Sequence, residues 1–120
     1  MGIALGKQCC GLLGNDAGWI ELVEQAAEQT GERVWPLPLY EEYLEDLKSD
    51  CADLKNVAND SYGGTIRSAM FLKQFIRKDV LWAHLDIASM AHDLSHIAYY
   101  PKKGASGAYV RLIAQLILNF

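Results

Sequence analysis

The order of apolar and polar residues in the first quarter of the chain predicts one strand followed by one helix. Residues 2–13 form an apolar run rich in Leu and Cys that ends in a Gly-Asn-Asp turn signal, a pattern typical of a buried strand or the end of one. From Asp16 to Thr30 the apolar residues fall on one helical stripe and three Glu residues lie opposite, which predicts an amphipathic helix. Asn15 or Asp16 can cap its start, and Gly31 can end it.

The rest of the chain is predicted to alternate between helices and strands. Pro36 and Pro38 exclude a regular helix or a central strand around them. The predicted elements are an extended connector at 34–39, a helix at 39–48, a short strand at 51–57, a turn at 59–64, a helix at 65–77, a strand buried on both faces at 81–88, a loop at 89–107 and a helix at 108–120. This alternation indicates an α/β fold built on a layered sheet.

The distribution of apolar residues predicts how far two of these helices are buried. The helix at 65–77 is apolar on more than one stripe, so we expect it to be covered on most sides. In the closing helix we expect the large apolar side chains to point inward, namely Val110, Leu112, Ile113, Leu116, Ile117 and Phe120.

Composition narrows the possible classes of protein. With 120 residues, 51% of them hydrophobic, the chain is the size of a single domain with one core. A net charge of −4 without clustered Lys and Arg argues against a nucleic-acid partner. No apolar segment reaches the length needed to span a bilayer, and the Met1 end lacks the basic region of a signal peptide, so we expect a cytoplasmic protein. The three cysteines are expected to be reduced, mostly buried thiols.

No complete catalytic or metal-binding motif occurs in the sequence. His92 and His96 have the spacing of two ligands on a helix, but the Glu base of the HExxH motif is missing, and we expect both to be solvent-facing loop residues. His84 and Asp86 share a strand face and could form a base and its orienting partner, although a buried, hydrogen-bonded His84 is the simpler interpretation. Asp53 and Asp86 lie in predicted strands and could meet across the sheet.

Segments along the whole chain resemble, in the same order, the C-terminal part of the catalytic domain of the leucyl aminopeptidase family of cytosolic metallopeptidases. The segment with the most specific match is Trp82-Ala83-His84-Leu85-Asp86-Ile87-Ala88. The others include Gly11-Leu12-Leu13, Gly31-Glu32-Arg33-Val34-Trp35-Pro36-Leu37-Pro38-Leu39, Ala52-Asp53-Leu54, Gly63-Gly64, Ala69-Met70-Phe71-Leu72, Lys103-Gly104-Ala105-Ser106-Gly107 and Val110-Arg111-Leu112.

The resemblance implies a fold, an activity and three site residues. The fold would be part of a layered α/β/α peptidase domain, with a mixed sheet flanked by helices. The activity would be removal of N-terminal, leucine-like residues from peptides by a homohexamer with two Mn²⁺ or Zn²⁺ ions. The family's metal-ligand segments and N-terminal domain have no counterpart in residues 1–120, so neither a metal ligand nor a catalytic residue is assigned here. Ala88 and Ala91 match walls of the pocket for the N-terminal side chain, and Val57 matches an apolar residue that faces the leaving side.

Three interpretations of this resemblance remain open, and in all of them we expect the chain alone to be inactive. It can be the C-terminal portion of an aminopeptidase, a truncated descendant that serves as an interaction or assembly module, or a cut-down expression product. The chain also departs from the family pattern. Arg67 replaces a small residue and is expected to disturb packing, the loop at 92–100 is longer and more aromatic, and Ala108-Tyr109 replaces a frequent Arg-Pro pair.

Overall fold

The computed structural model describes residues 1–120, which form four α-helices and three strands. The α-helices are α1 Gly2–Leu5, α2 Ala17–Thr30, α3 Gly64–Lys73 and α4 Val110–Leu118, the strands are β1 Cys10–Gly14, β2 Val34–Pro36 and β3 Ala83–Asp86, and two 3-10 helices cover Glu41–Leu47 and Ala88–Met90. The α/β class predicted from the sequence is confirmed.

The three strands form one mixed sheet in the order β2-β1-β3. β1 runs parallel to β2, with Leu12 opposite Pro36, and antiparallel to β3, with Leu12 opposite Leu85. Leu12 and Leu13 in the central strand are both 0% exposed, so β1 is covered on both faces. The central strand β1 thus has one parallel and one antiparallel neighbour, which makes the sheet a mixed one.

Each face of the sheet carries its own helices. Alternation along β1 sends Leu12 into a cluster with the buried faces of α2 and α4, which includes Val23 and Leu112. Leu13 lies outside that cluster, on the face packed against α3 and the Glu41–Leu47 helix. The fold therefore has three layers, helix, sheet and helix, as the resemblance implied.

The helix predicted from Asp16 to Thr30 is confirmed as α2, together with its two end signals. The Asp16 carboxylate accepts a hydrogen bond from the Trp19 backbone N–H at 2.8 Å, so Asp16, rather than Asn15, caps the helix. Gly31 ends it in the left-handed conformation at φ 69°, where a side chain would be strained.

Asn15 instead attaches β3 to the end of β1. Its side-chain N–H donates to the Val80 carbonyl at 2.8 Å, and its side-chain oxygen accepts from the Trp82 N–H at 2.8 Å. These bonds extend the antiparallel pairing beyond Gly14 and fix where β3 enters the sheet.

The buried Glu32 carboxylate anchors the start of α4. Its side chain is 0% exposed. Oε1 accepts from the Tyr109 N–H at 2.8 Å and from the Tyr100 hydroxyl at 2.5 Å, and Oε2 accepts from the Leu112 N–H at 2.9 Å. A carboxylate here satisfies helix N–H groups that have no partner within the helix and lies at the positive end of the helix dipole. The Arg111 guanidinium, with one nitrogen 3.6 Å from Oε1 of Glu32, places a full positive charge beside the carboxylate in addition to the helix dipole.

The prediction of a strand through residues 2–13 is wrong in its first half. Residues Gly2–Leu5 form the short helix α1, Gly6 follows at φ 62°, and the strand starts only at Cys10. An apolar run of this length does not distinguish one strand from a short helix followed by a strand.

Three predictions between 34 and 57 need correction. Within the connector, Val34–Pro36 forms the strand β2, which lies at the edge of this sheet where its proline is tolerated. The helix at 39–48 is a 3-10 helix over Glu41–Leu47. No strand forms at 51–57, because the Ser49 hydroxyl accepts from the Cys51 and Ala52 N–H groups and holds this backbone in a turn.

The later elements are shorter and less covered than predicted. The helix at 65–77 is α3 Gly64–Lys73, with Phe75 beyond its end and 69% exposed. The strand at 81–88 is β3 Ala83–Asp86, which is half-buried rather than buried on both faces. The loop at 89–107 contains the end of one 3-10 turn and a single β-bridge between His92 and Ala105. None of the helices is long and apolar enough to cross a membrane.

Helix α4 is only partly inward-facing. Leu112 is buried and Leu116 packs against the core, as predicted. The prediction is wrong for the other four residues: Val110 is 64% exposed, Ile113 50%, Ile117 67% and Phe120 83%. These four lie at helical spacing on one side of α4 and are called the α4 stripe below.

Candidate functional site

A group of polar side chains lies at the carboxyl end of β3, on the face that points toward α3. Within β3, His84 and Asp86 alternate onto this face, and the His84 ring stacks on the ring of Trp82, which directly precedes the strand, with centroids 6.1 Å apart. Oδ2 of Asp86 accepts a hydrogen bond from the Thr65 hydroxyl at 2.6 Å, and Oδ1 accepts from the Ala88 N–H at 3.3 Å. Asp86 therefore connects the end of β3, the first turn of α3 and the backbone that follows β3.

His84 and Asp86 do not form the base and orienting partner that their spacing allowed. Asp86 is bonded to Thr65 and Ala88, and the His84 ring makes no hydrogen bond within the chain, which also contradicts the expected hydrogen-bonded histidine. Partial burial lowers the pKa of His84, and the negative charge of Asp86 only partly opposes this effect. The ring is thus neutral at neutral pH. Asp53 lies in no strand, so the predicted pairing of Asp53 with Asp86 across the sheet is wrong.

Ala88 and Ala91, the two residues matched to the pocket for the N-terminal side chain, bracket one turn. Ala88 starts the 3-10 helix Ala88–Met90, and Ala91 follows it. The end of the turn at Met90 and Ala91 is held by the buried Ser106. The Ser106 hydroxyl donates to the Met90 carbonyl at 2.5 Å, and the Ser106 N–H donates to the Ala91 carbonyl at 2.9 Å. Residues 88–91 are called the pocket turn below.

Val57 lies on a different segment, the loop between the Glu41–Leu47 helix and α3. Its side chain is 69% exposed. The loop is tied down by Arg67, whose guanidinium contacts Asp60 in the loop and Asp46 in the 3-10 helix, the latter at 2.7 Å from Nε. Two carboxylates neutralise the charge of Arg67, and the expected effect of this residue on packing stays a prediction.

None of the five principal cavities is lined by Val57, Ala88 or Ala91. One is a polar cavity of about 300 Å³ lined by Glu32, Arg33 and the loop at 96–100. Another is a groove of about 430 Å³ between α2, β3 and α4, whose lining is entirely hydrophobic: Trp19, Val23, Leu81, Trp82, Ala83, Leu85, Leu112, Ile113 and Leu116. Val57 and Ala88 are exposed, and Ala91 is half-buried.

The side chains of this chain provide no set of metal ligands. No three His, Cys, Asp or Glu side chains converge on a point where an ion could be held. His92 and His96 are exposed loop residues, as predicted, and the His96 ring donates to the Lys7 carbonyl at 2.9 Å. The residues present thus do not fit the pair of ions that the resemblance implies, and no catalytic step through a metal follows from them.

The cysteines are unpaired, but only some are buried. Cys10 is buried and Cys9 half-buried, whereas Cys51 is exposed, so the expectation of mostly buried thiols is wrong for Cys51. Burial raises the pKa of Cys10 to about 12, which keeps it protonated and unreactive at neutral pH.

The Thr65–Asp86 contact was not predicted from the sequence. Thr65 follows Gly63-Gly64, and this segment predicted only a turn followed by a helix. The signal that could have indicated the contact is the Thr hydroxyl in the first turn of α3. Without the sheet register, however, its partner 21 residues away cannot be identified.

Together these features define the class of the protein as a mixed-sheet α/β domain with helices on both faces of the sheet and a short 3-10 turn just after β3. The family model described as the cytosol aminopeptidase family, catalytic domain, matches residues 1–114. The chain belongs to the cytosol aminopeptidase family, whose members are metal-dependent peptidases.

Curated relatives and a solved structure agree with this assignment. A probable cytosol aminopeptidase of Geobacter sulfurreducens is 48% identical over 115 residues, and that of Protochlamydia amoebophila is 47% identical over 115 residues; each alignment covers 96% of this chain and 23% of the relative. A mutant of tomato leucine aminopeptidase superposes with a TM-score of 0.89 at 34% identity, over 99% of this chain and 22% of that structure. The chain thus spans less than a quarter of the length of these relatives.

Proposed function

We propose that this chain is the C-terminal segment of the catalytic domain of a metal-dependent aminopeptidase that hydrolyses N-terminal, leucine-like residues from peptides. It would contribute substrate-pocket and scaffold residues but no metal ligands. The observation that carries the proposal is the match of nearly the whole chain, in sequence and in fold, to proteins named aminopeptidases.

The remaining properties of the parent enzyme rest on the resemblance. They are two Mn²⁺ or Zn²⁺ ions held by residues outside this chain, a homohexameric assembly, a peptide substrate and a cytoplasmic location. When bound, such ions supply an activated water and polarise the scissile carbonyl. The name cytosol aminopeptidase, carried by the relatives, supports the location.

We propose the same roles for the three site residues as the resemblance implied. Ala88 and Ala91 would form walls of the pocket for the N-terminal side chain, as the resemblance implies, since both lie on the turn that follows β3 and both carry only a methyl group. Val57 would face the residue on the leaving side. Its 69% exposure leaves an apolar surface free to contact a substrate. Burying a leucine side chain against such walls contributes roughly 2 kcal/mol to binding.

A chimeric enzyme tests the proposed function. The C-terminal segment of the Geobacter sulfurreducens relative is replaced by residues 1–120, and hydrolysis of leucine p-nitroanilide is measured with added Mn²⁺. We expect turnover by the chimera, because the relative supplies the parts of the domain that this chain lacks. We expect no turnover by the 120-residue chain alone, or by the relative truncated before the exchanged segment.

The outcomes of this experiment separate the proposed function from its alternative. A chimera that assembles like the intact relative but does not hydrolyse the substrate would favour a catalytically dead interaction or assembly module. Turnover by the 120-residue chain alone would show that it holds its own catalytic groups and would refute the supporting role.

Substituting Ala88→Leu in the active chimera should narrow the pocket. Three added carbon atoms on the pocket turn would occupy space that the substrate's leucine side chain needs. We expect KM for leucine p-nitroanilide to rise about tenfold, with a much smaller change for alanine p-nitroanilide. Steady-state kinetics on both substrates measure this difference. Ala114→Leu on the exposed side of α4 is the matched control, and an equal effect of the two substitutions would refute the role of Ala88.

A further inference from the structure

The Asp86 carboxylate joins three segments of the chain through hydrogen bonds. Asp86 is the last residue of β3, Thr65 lies in the first turn of α3, and Ala88 opens the pocket turn. The Thr65 hydroxyl donates to Oδ2 at 2.6 Å and the Ala88 N–H donates to Oδ1 at 3.3 Å. Each carboxylate oxygen thus holds a different segment.

From these contacts we propose that Asp86 is a positioning residue for the substrate pocket. By binding the Thr65 hydroxyl and the Ala88 N–H, it fixes the pocket turn and so sets the size of the N-terminal side chain that the enzyme accepts. This inference rests on the function proposed above, because it assumes that Ala88 and Ala91 are pocket walls.

A carboxylate suits this position for two reasons. Its Oδ1 accepts from the N–H two residues further on, the local geometry by which Asp and Asn stabilise turns. Its negative charge lies beside the first turn of α3, where the helix dipole is positive. The shorter bond, from Thr65, orients the carboxyl group, so that Oδ1 is held toward Ala88. Asparagine could keep both contacts, with its amide N–H donating to the Thr65 oxygen.

The far end of the pocket turn is held independently. Ser106 binds the Met90 and Ala91 carbonyls, and Met90 itself is only 4% exposed. Loss of the Asp86 contacts would therefore free the Ala88 end while the Ala91 end stays in place. The expected consequence is a change in the shape of the pocket, not unfolding of the segment.

Four substitutions in the active chimera test the inference. Asp86→Ala removes both contacts and Asp86→Asn preserves them, while Thr65→Val removes only the hydroxyl and Thr65→Ser keeps it. For Asp86→Ala we expect KM for leucine p-nitroanilide to rise about tenfold with kcat within about twofold, because the pocket acts on binding. Thr65→Val should raise KM about threefold, and both conservative variants should stay near the parent. With alanine p-nitroanilide, which hardly fills the pocket, all four should stay near the parent.

A second measurement does not depend on activity. In ¹H–¹⁵N NMR spectra of the full 120-residue chain, we expect the Ala88 amide resonance to move in Asp86→Ala and much less in Asp86→Asn. The Ser106 amide, which donates to the Ala91 carbonyl at 2.9 Å at the independently held end of the turn, serves as the internal reference and should not move.

The possible results distinguish this inference from the proposed function. If the parent chimera is active but Asp86→Ala leaves KM and the leucine-to-alanine preference unchanged, the positioning role is wrong and the proposed function stands. A loss of kcat that Asp86→Asn does not rescue would also contradict positioning. An inactive parent chimera would overturn the proposed function, and the positioning role with it.

Discussion

Replacing Glu32 by Gln should lower the free energy of unfolding of the chain by about 3 kcal/mol, because it removes a buried charge that three donors are arranged to bind. Two of these donors are the N–H groups of Tyr109 and Leu112 at the start of α4, and the third is the Tyr100 hydroxyl. A glutamine has only one acceptor oxygen, and its NH₂ group would face one of these donors. Urea unfolding followed by circular dichroism measures the change.

Glu28→Gln is the matched control for this prediction. Glu28 lies in α2, four residues before Glu32, and is exposed without a hydrogen-bond partner for its side chain. We expect its substitution to change the free energy of unfolding by no more than about 0.5 kcal/mol. Equal effects at the two positions would show that the anchoring of α4 by Glu32 contributes nothing to stability.

We also expect the purified chain to associate with itself through the exposed apolar residues of the α4 stripe. Val110, Ile113, Ile117 and Phe120 are each at least half exposed, and they adjoin the apolar groove that Ile113 also lines. Contiguous apolar surface of this kind drives association in water. We expect oligomers of the purified chain in light scattering, and a shift toward monomer in the Ile113→Lys, Ile117→Lys double variant.

A charge-matched control separates this effect from general repulsion between molecules. Ser61→Lys with Ser95→Lys adds the same two positive charges at exposed positions outside α4 and outside α2, the helix that packs against α4. The control should remain oligomeric. If the unsubstituted chain is a monomer with a cooperative thermal transition, the stripe does not act as an association surface and this prediction is wrong.

The features that the sequence predicted well are those determined by neighbouring residues. Helix α2 has its cap, its apolar stripe and its terminal glycine within 16 residues, and the structure places the cap and the glycine where the pattern indicated. The α/β class follows from the alternation of such segments. The family follows from the order of the matching segments along the whole chain.

The features that the sequence did not predict depend on residues far apart. A strand at 51–57 was excluded by the Ser49 hydroxyl, which offers that backbone another set of hydrogen bonds. The apolar residues of α4 indicated an inward face, but periodicity does not tell which of two neighbouring apolar stripes meets the core. The Thr65–Asp86 contact depends on sheet register and helix placement together. The roles of Val57, Ala88 and Ala91 remain predictions.

The position of Glu32 also bears on the order in which this chain can fold. The bond between its carboxylate and the Leu112 N–H joins residues 80 positions apart. Helix α4 has nine residues, too few to be stable in isolation, and its first turn has no capping side chain of its own. A peptide of residues 108–120 should therefore be largely unstructured in water. During synthesis, the last helix would become ordered only after the segment around Glu32 has already reached its native position.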